Sequence, residues 1–258
     1  MSRQGRVRAL RYAPPGDLEM TWLIARRAAI DALQDRLSLL MGVAFAVVVP
    51  IVLVLVILRP LVASPSAEGE PSLGDVLAFN LLVVGLLPTS AAIGIASGQF
   101  AGEKERGILT PLLASPASNM AIFGGKVLGA IIPPLVYAVV ADCVYALGLA
   151  VVLGPAELRL LPVWLSLTLI ALIPAVAWFA ASVASLISSR VRTFNAAQQI
   201  GGLVLMPVWG VVFGVAAKLA DWGPLGMVST LAGLLVLDVV LTTLAATTWR
   251  REEVLAHR

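Results

Sequence analysis

At 258 residues the chain has the length of one or two water-soluble domains, yet only 13% of its residues are charged and 59% are apolar. A soluble domain carries about 25% charged residues, so a chain with mean hydropathy +0.96 must turn most of its surface to lipid or to other membrane helices. One cysteine, Cys143, cannot close an intrachain disulfide, which excludes a disulfide scaffold.

Residues 1–36 form a basic N-terminal segment. Its stretch 18–36 (LEMTWLIARRAAIDALQDR) has no Pro or Gly and predicts a helix, with Leu23, Ile30, Leu33 and Leu37 on one side at helical spacing. Arg26 interrupts that stripe, and a long arginine stem can snorkel from a membrane interface. The segment reads as an interfacial helix, with a soluble lead-in helix as the alternative. Six long, nearly uncharged runs follow: Leu37–Leu58, Val76–Gly102, Val127–Ala156, Leu160–Ser189, Thr193–Ala217 and Trp222–Trp249. Crossing about 30 Å of hydrocarbon takes roughly 20 helical residues. The alternation expected of a barrel strand is absent. The expected fold is all-α, a polytopic membrane protein with six transmembrane helices across residues 37–249.

Fifteen of the 18 lysines and arginines lie in the N-terminal segment, the 98–126 and 190–192 connections and the tail 250–258; only Arg59, Arg159 and Lys218 lie on the other side. By the positive-inside rule both termini are cytoplasmic. This asymmetry accounts for the pI near 9.4 and leaves a nucleic-acid partner little support. No cleavable signal peptide is expected, because the first apolar run is too long and begins too late. The outer connections (63–74, 154–161 and 218–223) are too short for an extracytoplasmic domain.

The connection between the second and third runs, GQFAGEKERGILTPLLASPASNMAIFGGK (98–126), is the most informative. Four charges, Glu103, Lys104, Glu105 and Arg106, end an apolar run. Gly107 permits a sharp change of direction. Ile108–Ala114 reads as a short apolar helix stopped by Pro116, and Ser118 or Asn119 can cap the next helix. Leucines so placed need a partner surface; a helix resting on headgroups is the alternative.

This segment resembles the loop between the second and third spans of type-2 ABC exporter permeases. The resemblance rests on Glu103, Glu105, Arg106, Gly107, Leu112, Leu113, Pro116, Gly125 and Lys126. Ile108 and Thr110 stand where that family commonly has Thr and Glu. At lower specificity the N-terminal stretch ARRAAIDALQDRLSLL and the tail TTWRREEVLAHR are similar to the family's ends. The resemblance implies a permease subunit of an exporter in the plasma (inner) membrane, working as a homo- or heterodimer with separate ATP-binding subunits. Ile108–Ala114 would be the coupling helix, and ATP and magnesium would sit on the partner ATPase, with no cofactor in this chain.

The residues themselves supply little catalytic chemistry. Gly124-Gly125-Lys126-Val127 lacks the leading Gly and the Ser/Thr of a phosphate-binding loop. The single histidine, His257, is one residue from the end. Neither a catalytic residue nor a metal site is expected. Two acids lie inside the runs, Asp142 and Asp238. A carboxylate at that depth costs at least about 2.5–3.5 kcal/mol and needs a partner, a proton or water. Tyr145 lies one turn from Asp142, and Thr242 and Thr243 one turn from Asp238. These acids either line a substrate or ion path, or are protonated and packed between helices. A proton-coupled secondary transporter built on Asp142 and Asp238 is therefore the competing functional reading. Gly94/Gly98/Gly102, Gly125/Gly129 and Gly210/Gly214 have the spacing of close helix contacts, and Pro88, Pro133, Pro134, Pro174 and Pro207 predict kinks.

Overall fold

A computed structural model describes residues 16–63, 72–108 and 115–248. No strand occurs among them. Helix α1 (Asp17–Gln34) ends where Asp35 turns extended, ψ 106°. Helix α2 (Arg36–Val52) contains Pro50 and runs on through a π-helical stretch (Leu53–Leu58) into α3 (Arg59–Ala63). Proline lacks the N–H that an α ladder needs, which suits a change of register just beyond it.

Helix α4 (Leu73–Thr89) is capped by Ser72, whose Oγ accepts from the Asp75 amide at 3.1 Å. After Pro88 and the turn at Ser90, the chain continues as α5 (Ala91–Ser97), a second π-helical stretch (Gly98–Gly102) and α6 (Glu103–Glu105). Helix α7 (Asn119–Val152) follows the elbow, then the short α8 (Pro155–Leu158), α9 (Val163–Arg190) and α10 (Phe194–Thr248). Pro133, Pro134, Pro174 and Pro207 all lie inside continuous helices.

Among the described residues five helices are long and apolar enough to cross a membrane, and the fifth and sixth sequence runs fall within one 55-residue element, α10. A straight helix of that size would extend about 80 Å, far beyond the bilayer core. Gly223, at φ 67° and ψ −174°, breaks the helical geometry, so α10 is two helices meeting there. The expected outer loop at 218–223 is instead helical up to that glycine, with Lys218 and Asp221 pairing at 3.5 Å.

Apolar side chains stand outward all round the bundle, among them Val139, Leu147, Leu203, Met206 and Val236, each more than 60% exposed. Water would not support that much uncovered apolar surface; lipid does. Inside, one core cluster joins Phe100, Phe123 and Val127 to alanines of α9 and Ala245 and Ala246 of α10. A second packs Leu82 and Leu86 on Leu169, Leu172 and Leu219. A third packs Leu58 and Leu77 on Tyr145 and Leu149.

Helix α1 docks along the beginning of α7. A Cβ on Gly125 would lie 2.8 Å from Ile24 Cβ and the Thr21 carbonyl, and one on Gly129 would lie 2.8 Å from the Ala25 carbonyl. Small residues let the two backbones approach. The face of α1 turned to the protein is thus Thr21, Ile24, Ala25 and Ala28, whereas Leu23, Ile30 and Leu33 remain exposed.

Candidate functional site

The charged elbow lies where α6 ends. Ile108 N–H donates to the Glu103 carbonyl at 3.0 Å and Gly107 N–H to the Lys104 carbonyl at 3.1 Å. With Gly107 at φ 70°, this pair of bonds is a Schellman stop, a geometry that a glycine adopts without strain. Chain direction changes at the glycine that the sequence marks for it. On the far side of the loop Ser118 is the N-cap of α7, its Oγ accepting from the Ala121 amide at 3.0 Å; Asn119 is the first residue of the helix.

Each of three successive elbow side chains reaches a different helix. Glu103 Oε2 accepts from Lys126 Nζ at 2.6 Å, which ties the elbow to the start of α7. Lys104 Nζ donates to the carbonyls of Ser189 at 3.1 Å and Val191 at 3.4 Å, at the C-terminus of α9. A cation there meets the negative end of the helix dipole. Glu105 Oε2 accepts from the Phe194 amide at 3.1 Å, at the N-terminus of α10, where a carboxylate suits the positive end. Arg106 and Gly107 are exposed, as is Pro116 across the loop. Leu112 and Leu113, with Thr110 and the rest of 109–114, lie outside the described residues.

Lys126 is 2% exposed. A buried ammonium is tolerated only when its charge and its donors are met. Besides Glu103 it bonds the Gln99 carbonyl and lies 4.8 Å over the Phe100 ring, a cation–π contact. The π-helical stretch makes this possible. Glu103 N–H bonds back to Gly98 and Phe100, so the Gln99 carbonyl is left to the lysine. Ser188 of α9 completes the arrangement. Its hydroxyl donates to the Ser97 carbonyl at 2.8 Å and accepts from the Ala101 amide at 2.8 Å. One hydroxyl thereby stands in place of the α-helical bond between those two groups, an insertion that opens a helix locally.

The glycine stripe of the same rod faces α10: a Cβ on Gly94 would lie 3.3 Å from Gln198 Nε2, one on Gly98 3.7 Å from the Phe194 ring, and one on Gly102 3.9 Å from it. Gly210 and Gly214 meet nothing within 4 Å. Gly125 contributes to the α1 contact and so stands apart from the elbow charges.

The acids within the helices are built differently. Asp142 faces Gly85 of α4, where an added Cβ would lie 3.2 Å from both carboxylate oxygens, and its Oδ1 is buried without a hydrogen-bond partner. Tyr145 does not satisfy it; the Tyr145 hydroxyl donates instead to the Leu77 carbonyl at 3.0 Å and locks α7 to α4. Asp238 is fully buried and neither of its oxygens has a partner, so the two acids do not bond each other. Thr242 Oγ1 donates to the Asp238 backbone carbonyl at 2.8 Å and accepts from Trp178 Nε1 at 3.0 Å, with Ser182 Oγ also 3.0 Å away. Thr243 is half-buried and bonds its own helix, at Val239 and Val240.

The sequence profile of the ABC-2 type transporter family matches residues 19–215, from α1 through the elbow into the first part of α10. The chain belongs to this family. No curated protein matches it. As an ABC-2 permease it is a membrane component of an ABC transporter, and the apolar helices make it a multi-pass membrane protein. In this permease the residues that sequence reasoning missed are Lys104 as a cap on α9, Ser188 inside the π-helical stretch, and Phe194 as the donor to Glu105. All three contacts join positions more than 80 residues apart, and a serine or a backbone amide carries no mark of such a partner in a linear reading.

Proposed function

We propose that this permease is the transmembrane subunit of an ATP-driven exporter, working as a dimer in the plasma membrane and taking its driving force from a separate ATP-binding subunit. In this reading the chain crosses the bilayer six times, the two arms of α10 counting separately. The N-terminal segment 1–36, the 98–126 loop and the tail 250–258 are cytoplasmic. The segment around Ile108–Ala114, with Leu112 and Leu113, seats in the ATPase.

The observation that carries the proposal is the three-way fastening of the elbow. Glu103 holds α7, Lys104 holds the end of α9, and Glu105 holds the start of α10. A push delivered at the loop would reach three helices at once, without slack in a flexible linker. Conformational coupling requires such an element together with contacts that differ between two states. Co-expression with a candidate ABC ATP-binding subunit tests the proposal. The wild-type permease captures that subunit in detergent, and the Leu112→Asp/Leu113→Asp variant inserts normally but loses capture. Equal capture by the variant would reject the docking assignment.

A second reading, proton-coupled transport without an ATPase, draws on the unpartnered Oδ1 of Asp142 and the unpartnered carboxyl of Asp238. Transport by reconstituted permease alone, driven by a pH gradient and abolished in Asp142→Asn, would favour it over the first.

A further inference from the structure

Helix α9 ends at Arg190 and α10 begins at Phe194, so only Val191, Arg192 and Thr193 join two spans. A joint this short cannot rise far above the hydrocarbon. Arg190 and Arg192 are both exposed there. Farther along α10, Ile200 and Leu203 are exposed apolar residues, about 9 and 14 Å from Phe194 at the rise of a helix. The polar layer of each leaflet is about 5–8 Å deep. The two guanidinium groups therefore stand at headgroup depth, directly above a lipid-facing surface, with stems long enough to adjust their height.

Lys104 supplies an independent observation. The carbonyls that receive its Nζ, those of Ser189 and Val191, flank Arg190. An ammonium has three protons, so one is left for an acceptor from outside. Arg192 lies near enough to Lys104 for the two cations to repel. The fold holds these like charges together, and among the described residues neither Arg190 nor Arg192 is in an ion pair. Glu105 reaches the same corner, where it accepts from the Phe194 amide; the adjacent Arg106, exposed and also unpaired, offsets its charge. Glu103 is committed to Lys126. The corner is positive on balance. Thr193 Oγ1 accepts from the Ala196 amide at 3.3 Å, which leaves its hydroxyl proton to donate.

We propose that this corner binds the phosphodiester headgroup of an anionic phospholipid, with Arg190 and Arg192 on its phosphate oxygens, Lys104 and Thr193 as further donors, and the acyl chains along Ile200 and Leu203. The proposal rests on the permease reading for the side of the membrane, which it takes as cytoplasmic. Guanidinium forks match phosphate oxygens in pairs, and basic groups at the cytoplasmic ends of spans attract anionic lipid. A free phosphate or an acidic protein surface would share the charge. Neither would cover the apolar face that begins just below it, and that face favours a lipid.

The test uses purified full-length permease, without ATPase, in micelles of a neutral maltoside. It is titrated with dioleoylphosphatidylglycerol or dioleoylphosphatidylcholine, and single lipid adducts are counted by native mass spectrometry. Each basic group near an anionic surface is worth about fivefold in affinity. The first phosphatidylglycerol should therefore bind about 25-fold tighter than the first phosphatidylcholine, and Arg190→Gln/Arg192→Gln should bring the two to near parity. Arg190→Lys/Arg192→Lys keeps the charge and should retain most of the preference. Arg26→Gln/Arg27→Gln removes the same charge from α1 and should leave the preference intact. If the Gln pair does not purify as a single species, Arg192→Gln is read in its place, with a loss of about fivefold. Absence of a preference in the wild type, or a Gln pair that binds like it, would overturn the proposal. Equal loss in the α1 variant would reduce the effect to diffuse surface charge and overturn it too. Displacement of the lipid by millimolar inorganic phosphate at constant ionic strength would assign the corner to a free anion. A Gln pair that keeps the lipid but no longer captures a candidate ABC ATP-binding subunit would assign it to a protein partner. Because no ATPase is present in the titration, its failure leaves the permease reading standing; that reading is decided by the capture experiment with Leu112→Asp/Leu113→Asp.

Discussion

The elbow and the interior of the bundle handle charge in opposite ways. At the elbow Lys126 is almost fully buried, and a carboxylate, a carbonyl and an aromatic ring meet it. Farther along the helices Asp238 is fully buried and nothing meets its carboxyl oxygens. A completed ion pair is a structural part, because removing either member leaves the other stranded. An unmet carboxyl is the reverse, since its removal strands nothing. The elbow charges therefore brace the ends of three helices, whereas the bundle acids contribute little to holding the fold together.

The sharpest way to break this comparison is Lys126→Met. Stranding Glu103 and the Gln99 carbonyl should cost about 3–5 kcal/mol, seen as a several-fold loss of monodisperse protein and a lower Tm in detergent. An unchanged Tm would mean that the elbow is not braced by this pair. Next in size is Asp238→Leu, expected to stabilise by about 1–3 kcal/mol because an unsatisfied buried group is removed. A fall in Tm would show that the carboxyl has a partner in the membrane. If transport is lost while Tm rises, the acid belongs to the substrate or ion path. Gly107→Ala should then cost about 1 kcal/mol, since the Schellman stop needs positive φ; the loop 109–114 should become more sensitive to protease. Ser188→Ala should cost about 1 kcal/mol and let the Ala101 amide exchange faster with deuterium. The smallest effect expected is Lys104→Ala, about 0.5 kcal/mol for a cation at a helix C-terminus, visible as faster exchange confined to 187–191.

The helices were legible because long uncharged runs have one solution in lipid, and Gly107 and Ser118 were legible because turn and cap chemistry is local. Packing was less so. The leucine stripe of α1 drew attention to the face that stays exposed, while small residues made the contact with α7; alanine and threonine weigh little in a hydrophobic pattern but allow backbones to touch. Glu103, Lys104 and Glu105 read in sequence as charges that end an apolar run, and in the fold each reaches a different helix of the same chain. Sequence proximity shows that charges are together but not where each one points. Tyr145 likewise sits one turn from Asp142, and its hydroxyl turns to Leu77. The fifth run ends at Ala217 and the sixth begins at Trp222, and helical geometry breaks at Gly223, one residue into the sixth run, inside one continuous element.

A π turn holds one residue more than an α turn. Closing an ordinary α ladder over 98–102 with every residue kept would swing Glu103–Glu105 about 100° around the helix, out of reach of α7, α9 and α10. The aim of the elbow is thus a matter of counting. The elbow reaches its three helices only while the extra residue stays bulged within 98–102.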